Sequence, residues 1–305
     1  MTALPNVGAR VSVRYRRPPG SEPPFSDAVG HLVAVEPRVR VQTNDGELVE
    51  FSPADVVTVR RLTDARVRNS QIRAVEHAAA LAWPGVEQQW LRGWLLRAGH
   101  GSTRRANSAV PLDFSARRDA VPTIVDWYAS RGLPPLLAIP DRLIPLAADV
   151  AAECEARMLV CDLSGVTPAA RSSPNVTLQE RPSPDWLACY ARDVPVDVLT
   201  AVVDGEITFA SHKDVAVARA AVTSAPDGVR WVGLSAVRVV DAGRRRGHAR
   251  ALCAALLAWG AGQGATRGYA QVVDGNVAAL ALFAALGFTP QHRCRYLPAQ
   301  ALLAT

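Results

Sequence analysis

Residues 232–249 have the sequence VGLSAVRVVDAGRRRGHA, an apolar segment followed by an arginine-rich loop and the start of a second apolar segment. The first segment is typical of a strand, and the residues after the loop are typical of a helix. The first amides of a helix have no internal hydrogen-bond partner, and the helix dipole adds partial positive charge there. Small residues at Gly247 and Ala249 let a phosphate approach those amides, and the arginines at 244–246 add positive charge. The loop therefore predicts a binding site for a diphosphate.

The loop differs from two other common phosphate-binding motifs. It lacks the Gly-Lys-Ser/Thr of a Walker loop and the three glycines and acidic residue of a dinucleotide-binding turn. Alone, a six-residue Arg-x-x-Gly-x-Ala pattern is a weak signal in a chain rich in arginine and alanine. A second motif follows about thirty residues later and strengthens it. It consists of Gln271-Val272 and then Asn276-x-x-Ala279-x-x-x-Phe283-x-x-x-Gly287-Phe288.

Together the two motifs resemble the acetyl-CoA-binding core of the GNAT superfamily of N-acetyltransferases. The loop resembles the Arg/Gln-x-x-Gly-x-Gly/Ala signature, with Val239 eight residues before Gly247, and the second motif resembles Asn-x-x-Ala-x-x-x-Tyr-x-x-x-Gly-Phe. The resemblance implies an α/β (α+β GNAT) fold and acetyl-CoA as co-substrate. It also implies transfer of an acetyl group to a primary amine. The resemblance does not decide whether the acceptor is a small-molecule amine, a peptide N-terminus or a protein lysine.

The resemblance also implies roles for individual residues. Backbone groups of the strand would pair with the pantetheine arm, where the strand separates from its neighbour. Amides of the loop would hold the diphosphate, Asn276 would bond the cofactor or fix the loop, and Phe283 would pack along the pantetheine. The cofactor-binding residues implied in this way are Val237, Arg238, Val239, Arg244, Arg245, Arg246, Gly247, His248, Ala249, Arg250, Asn276, Ala279 and Phe283.

Two positions depart from the family pattern, and both concern catalysis. Acetyl transfer needs a neutral amine, a polarised thioester carbonyl and protonation of the leaving thiolate. Phe283 stands where many members have a proton-donating tyrosine, and Val273 stands where related sequences carry a glutamate. The alternative function is therefore a catalytically silent acyl-CoA-binding or sensor protein. The remaining candidates for proton transfer are Tyr296, His248, Asp274 and His212, of which Tyr296 is the predicted catalytic residue.

The chain before this core divides into two further parts. Residues 1–62 contain five short segments of alternating character, with a turn at Asn44-Asp45-Gly46, and resemble an SH3-like β-barrel. Residues 63–166 resemble the N-terminal half of certain bacterial tandem-GNAT proteins through Gly93-Trp94-Leu95-Leu96-Arg97 and Thr103-Arg104-Arg105-Ala106-Asn107-Ser108. We therefore expect an SH3-like barrel over 1–62, a degenerate GNAT-like half over 63–166 and an acetyl-CoA-binding GNAT half over 175–305. The polar segment 167–174 is predicted to be a linker.

The degenerate half lacks its own phosphate-binding loop, so we expect it to form one wall of the acceptor site of the C-terminal half. Its pattern predicts strands over 90–97 and 106–112 and a helix over 146–155. Arg105, Asn107 and Ser108 are the predicted acceptor-binding residues. The alternative is that these polar groups only hold the two halves together.

Composition narrows the class of protein. The chain of 305 residues is 49% hydrophobic and 20% charged, as in soluble globular proteins, and has no apolar run long enough to span a bilayer. A cytoplasmic protein without membrane contact is expected. The five cysteines have no CxxC spacing, so no metal site is predicted.

The net charge of +6 comes almost entirely from arginine, since Lys213 is the one lysine among 34 basic residues. This bias partly reflects the codon usage of a GC-rich genome, and the modest excess favours anionic ligands such as the phosphates of coenzyme A. It is too small and too evenly spread to indicate nucleic acid. A third possible function is a factor that binds nucleic acid or another protein through the barrel. The sequence leaves open whether the chain forms a homodimer.

Overall fold

The computed structural model describes residues 4–5, 7–43, 47–62, 67–147, 150–163 and 175–303. The chain divides into two compact units, Met1–Arg66 and Val67–Thr305. The turn predicted at 44–46 and the linker predicted at 167–174 lie outside the described residues.

The first unit is a five-stranded antiparallel sheet in the order β4-β3-β2-β1-β5. Its strands are β1 (Arg10–Arg16), β2 (Phe25–Ala34), β3 (Val39–Thr43), β4 (Leu48–Phe51) and β5 (Val56–Arg61). The five predicted strands are present, and their alternate apolar side chains form one small core. In the described part of this unit β4 does not pair with β5, because β5 turns away after Pro53–Asp55 and pairs with β1. The prediction of a closed SH3-like barrel is therefore not confirmed.

The second unit is built on an eight-stranded mixed sheet in the order β11-β12-β13-β14-β15-β10-β16-β9, beside a small sheet β6-β7-β8. The strands of the small sheet are β6 (Glu87–Leu91), β7 (Trp94–Ala98) and β8 (Val110–Pro111). Those of the large sheet are β9 (Leu136–Pro140), β10 (Cys154–Asp162), β11 (Val176–Gln179), β12 (Glu206–His212), β13 (Ala216–Ser224), β14 (Arg230–Val239), β15 (Arg267–Val273) and β16 (Thr289–Pro298). The helices are α1 (Asn69–Ala82), α2 (Val121–Ala129), α3 (Pro184–Tyr190), α4 (Val196–Thr200), α5 (His248–Gly262) and α6 (Val277–Ala285).

Three predictions for the segment before residue 163 were wrong. The strand predicted over 90–97 is a hairpin, because Arg92 and Gly93 both have positive φ and reverse the chain. The strand predicted over 106–112 is only Val110–Pro111. The helix predicted over 146–155 has no helical residue in its described part, since β10 already begins at Cys154 and pairs on both sides.

The two faces of the large sheet are covered by different helices. Ala220 and Val222 of β13 pack in one cluster with α5 and with Phe283 of α6. Ala221, which points the other way, packs with α1, and Val217 packs with α3 and α4. The sheet therefore separates an α5/α6 face from an α1/α3/α4 face.

Strands from the two predicted halves are mixed in this sheet. β10 lies between β15 and β16, and β16 pairs in turn with β9. The sheet thus shows a mixed α/β fold in which residues before 163 supply two strands beside the core that carries the arginine-rich loop. A tandem arrangement of two separate halves is not confirmed.

Two glycines of α5 offer a test of how closely this helix packs on the sheet. A Cβ on Gly260 would lie 2.5 Å from Cβ of Val232, whereas a Cβ on exposed Gly262 would meet nothing within 4 Å. We expect Gly260→Ala to lower the free energy of unfolding by about 1–3 kcal/mol, despite the better helix propensity of alanine. Gly262→Ala should leave it unchanged or raise it by up to about 1 kcal/mol. Urea unfolding of both variants measures the difference, and equal effects would contradict the close packing.

Candidate active site

A cleft opens where two neighbouring strands of the large sheet separate. β14 and β15 pair in parallel from Trp231 to Leu234 of β14, but β14 continues to Val239 without this partner. The space beyond the last pair is a cavity of about 310 Å³ that reaches the helices on both faces. The separation that the resemblance implied at 237–239 is thus present in the sheet.

A bulge in β14 lies at the point of separation. Ala236 and Val237 stand opposite the single residue Ala218 of β13, and Ala236 has a φ of 53°. Bulges bend a strand and change the direction of its backbone groups. Past the bulge, the β15-facing edge of β14 can offer backbone groups to an extended ligand, as an exposed sheet edge does.

The arginine-rich loop ends at the start of α5. Gly247 has a φ of 82° in the N-cap position, no side chain caps the helix, and Ala251 donates the first helical bond to the Gly247 carbonyl. The helix end therefore presents free amides, as an anion site requires. The neighbouring Arg244 is exposed and pairs with Asp241 at 2.8 Å.

Two histidines meet beside this loop. Nδ1 of His212, at the end of β12, lies 2.8 Å from Nδ1 of His248, the first residue of α5. One ring must donate and the other accept in this bond. Burial lowers the pKa of His212, and the nearby His248 and Lys213 lower it further.

This pair predicts a pH dependence of stability. Because the folded pKa of His212 lies below its ordinary value of 6.5, the unfolded chain binds this proton more readily as the pH falls. The free energy of unfolding should therefore decrease from about pH 7.5 to about pH 5.5. His212→Gln should make that decrease shallower, with a residual slope from His77, whose pKa is also lowered by burial. Urea unfolding across this range measures both slopes, and parallel slopes would contradict the prediction.

Tyr296 lies in the cleft on the α1 face of the sheet. Its hydroxyl donates to Oε1 of Gln271 at 3.0 Å, and Nε of Arg105 donates to the same oxygen at 3.0 Å. Burial raises the pKa of Tyr296 strongly, so its hydroxyl stays protonated at neutral pH. Phe283 lines the cleft as well and is buried between α6 and the sheet.

A buried arginine lies behind the cleft wall. The guanidinium of Arg219 donates to the carbonyls of Leu199, Ala82 and Ala201 at 2.7–2.9 Å and stands 4.4 Å from the ring centroid of Trp83. Burial lowers its pKa to about 9, so it remains charged at neutral pH. Ser235, which lines the cleft, accepts a further bond from it at 3.3 Å.

Comparison with known proteins identifies the family. Residues 69–297 match the family model described as "Probable histone acetyltransferase Rv0428c C-terminal", and residues 5–60 match the one described as "Rv0428c N-terminal Sm-like domain". The chain belongs to the Rv0428c family of GNAT-fold acetyltransferases. It is therefore an acyltransferase, and its N-terminal sheet is related to Sm-like domains.

Individual relatives agree with this family. The chain is 57% identical over 303 residues to "Probable histone acetyltransferase Rv0428c" of Mycobacterium tuberculosis, covering 99% of this chain and 98% of that protein. It is 25% identical over 242 residues to "Uncharacterized N-acetyltransferase YobR" of Bacillus subtilis, covering 74% and 97%. Among solved structures, a GCN5-related N-acetyltransferase from Kribbella flavida matches with a TM-score of 0.51 and 18% identity, over 77% of this chain and 96% of that one. A GNAT-family acetyltransferase from Novosphingobium aromaticivorans matches with a TM-score of 0.50 and 18% identity, over 72% and 94%.

Some of the predicted cofactor-binding and acceptor-binding residues of this acetyltransferase line the cleft, and others do not. Val237, Asn276, Ala279 and Phe283 line the cleft, and the Asn276 side chain also accepts the amide of Ala279 and caps α6. Arg105 lines the cleft. Asn107 and Ser108 do not, and they bond within the 97–108 segment. Their contacts are those of structural residues.

Two other candidates for proton transfer are engaged outside the cleft. Asp274 pairs with Arg157 at 2.7 Å, and His212 bonds to His248. Of the four residues considered, Tyr296 is the one that lines the cleft.

Several cleft residues were not predicted from the sequence. Trp83 follows α1, and Tyr190 and Arg192 lie at the end of α3, so no local motif marks them. Gln271 was noticed only as part of the second motif, and its contact with Arg105 spans 166 positions.

In the described ranges of the acetyltransferase, no three His, Cys, Asp or Glu side chains are grouped to hold a metal ion. Of the helices in the same ranges, none has the length and apolar character that crossing a lipid bilayer requires.

Proposed function

We propose that the chain is an acetyl-CoA-dependent N-acetyltransferase that acts on a primary amine. The observation that carries this proposal is the presence, in one stretch of chain from β14 to α5, of a bulged strand edge that lines the cleft containing Tyr296 and of a free helix end at Gly247. A diphosphate, an amide-containing arm and a reacting thioester would meet the helix end, the strand edge and the cleft, respectively.

The residues of the chain fit such a molecule. Free amides at the start of α5 and the exposed arginines of the loop suit a diphosphate, and the left-handed Gly247 leaves room above them. Edge groups of Val237–Val239 would pair with the amides of the pantetheine arm, and Phe283 and Ala279 would pack along it.

The chemistry requires few groups from the protein. The acceptor nitrogen attacks the thioester carbonyl, the C–N bond forms, the C–S bond breaks, and the thiolate takes up a proton. The Tyr296 hydroxyl, protonated at neutral pH, would donate that proton and be restored from water. The attacking nitrogen, which becomes positively charged when the C–N bond forms, releases one proton to water, and this balances the proton that the thiolate takes up. Holding both reactants in the cleft supplies the rest of the acceleration.

Two measurements test the proposal. Calorimetry of the full chain with acetyl-CoA should show one binding site, and thiol release with an amine panel should show turnover. Absence of binding would refute the proposal. Binding without thiol release on any amine would favour the alternative, a silent acyl-CoA-binding protein, for which Phe283 and Val273 in place of proton-transferring residues are the motivating observation.

The relative named as a probable histone acetyltransferase makes a protein lysine one candidate acceptor. Small amines and peptide N-termini are the others, and the amine panel should include all three.

A further inference from the structure

The acceptor side of the cleft carries an unbalanced positive charge. Arg104, Arg105 and Arg192 line the cleft, and none of the Asp or Glu side chains in the described ranges does. In the same ranges, none of the three arginines forms an ion pair. Arg105 uses Nε for Gln271, which leaves its terminal nitrogens available.

Two nearby carboxylates, those of Glu76 and Asp274, are committed to other partners. Glu76 bonds to His292 at 2.8 Å in a buried pair, and Asp274 bonds to Arg157 at 2.7 Å. Neither of these two carboxylates is therefore available to neutralise the positive charge of the cleft. That charge is reinforced by the buried guanidinium of Arg219 behind Ser235.

These arginines lie on the face of the sheet opposite to the arginine-rich loop that precedes α5. Gln271, which bonds Arg105, stands opposite Met158 on β10, and Met158 packs against α1. The flanking Ala270 and Val272 instead pack with α5, the helix that begins at the loop. Because the arginines lie on the α1 face, they are separated by the sheet from phosphates held at the start of α5.

The positive side of the cleft has two consequences for an acceptor. It lowers the pKa of an ammonium group that enters, because neighbouring positive charges disfavour the charged form. This favours the neutral nucleophile without a carboxylate base. It also attracts an anion elsewhere on the acceptor, since guanidinium groups bind carboxylate or phosphate bidentately.

We propose that the preferred acceptor is a small primary amine that also bears an anionic group, a carboxylate or a phosphate, bound by Arg105 and Arg192. The inference rests on the proposed N-acetyltransferase function and specifies its substrate class. A strongly cationic lysine-rich peptide would meet like charges at the same place and is disfavoured.

Bisubstrate conjugates test this without turnover. Coenzyme A is joined through an S–CH2–CO–NH bridge to glycine, β-alanine and 4-aminobutyrate, to the amide of each, and to 2-aminoethyl phosphate and ethanolamine. A ninth conjugate uses a lysine side chain in a basic peptide. The conjugates differ in the number of carbons between the bridging nitrogen and the anionic group. For at least one of these spacings we expect calorimetry to show that the anionic conjugate binds at least about tenfold more tightly than its neutral partner. The carboxylate and phosphate arms distinguish the two anions.

Variants assign the effect to the arginines. Arg105→Gln and Arg192→Gln should each reduce the ratio between anionic and neutral conjugates. Arg192 is exposed, so its variant leaves the core unchanged. Arg181→Gln, at another exposed arginine outside the cleft, should keep the full ratio.

Three outcomes would overturn the inference. They are an anionic-to-neutral ratio near one at every spacing, a ratio unchanged in both arginine variants, or tightest binding by the basic peptide conjugate. Acetyl-CoA is titrated in parallel. If it binds and the conjugates do not discriminate, only the acceptor class fails. If it does not bind, the proposed function fails and the inference with it.

Discussion

Gly247→Val should weaken acetyl-CoA binding by about a hundredfold or more, a loss of roughly 2.8 kcal/mol in binding free energy. Gly247 precedes α5 with a φ of 82°, a conformation that valine adopts only with strain. Within the chain a Cβ at this position meets nothing within 4 Å, so the expected loss comes from the ligand side. The branched side chain would stand over the free amides and hold a diphosphate away from them. Calorimetry with acetyl-CoA measures the change.

Gly228→Val is the matched control for this substitution. Gly228 has a φ of 80°, lies in the exposed turn between β13 and β14, and would also place its Cβ in open space. Both variants should lose stability through the same backbone strain, about 1–2 kcal/mol each. Only Gly247→Val should lose affinity. Equal affinities of the two variants would show that the loop does not hold the diphosphate.

Tyr296→Phe should lower kcat by about a hundredfold, while the KM for acetyl-CoA changes by less than about threefold. The variant removes the one hydroxyl proposed to protonate the leaving thiolate and keeps the ring that fills the site. It also removes a bond to Gln271, which still holds Arg105. Steady-state thiol release with the best amine of the panel gives both constants.

Tyr128→Phe separates this effect from the loss of a buried hydrogen bond. The Tyr128 hydroxyl is buried outside the cleft, donates to the Arg97 carbonyl at 3.0 Å and accepts from the Arg97 amide. Its removal should cost about 0.5–1.5 kcal/mol of stability and leave kcat unchanged. If both variants lose kcat equally, Tyr296 has a structural role and positioning alone drives the transfer.

The arginine-rich loop illustrates what local sequence can predict. A strand, a loop with Gly247 and a helix are adjacent in the chain, and α5 begins directly after the loop, as the pattern predicts. Strand period and helix period are local properties, so an apolar strand and a following helix can be recognised from the residues beside the loop alone.

The errors have an equally physical cause. The hairpin at Arg92-Gly93 was missed because apolar residues on both sides gave one continuous strand pattern. Residues 146–155 suggested a helix, but Cys154 and Glu155 belong to β10, whose pairing with β15 and β16 outweighs local propensity.

By itself the sequence determined the family core, the helix start at Gly247 and the candidacy of Tyr296, because each depends on residues close together in the chain. Only the tertiary structure decided what surrounds Tyr296. Trp83, Arg105 and Arg192 come from three separate segments, and the sheet order that inserts β10 beside β15 brings them to one cleft. The positive charge that Arg105 and Arg192 bring to the cleft therefore depends on the packing. No short motif can predict which distant side chains will lie on the same face of a sheet.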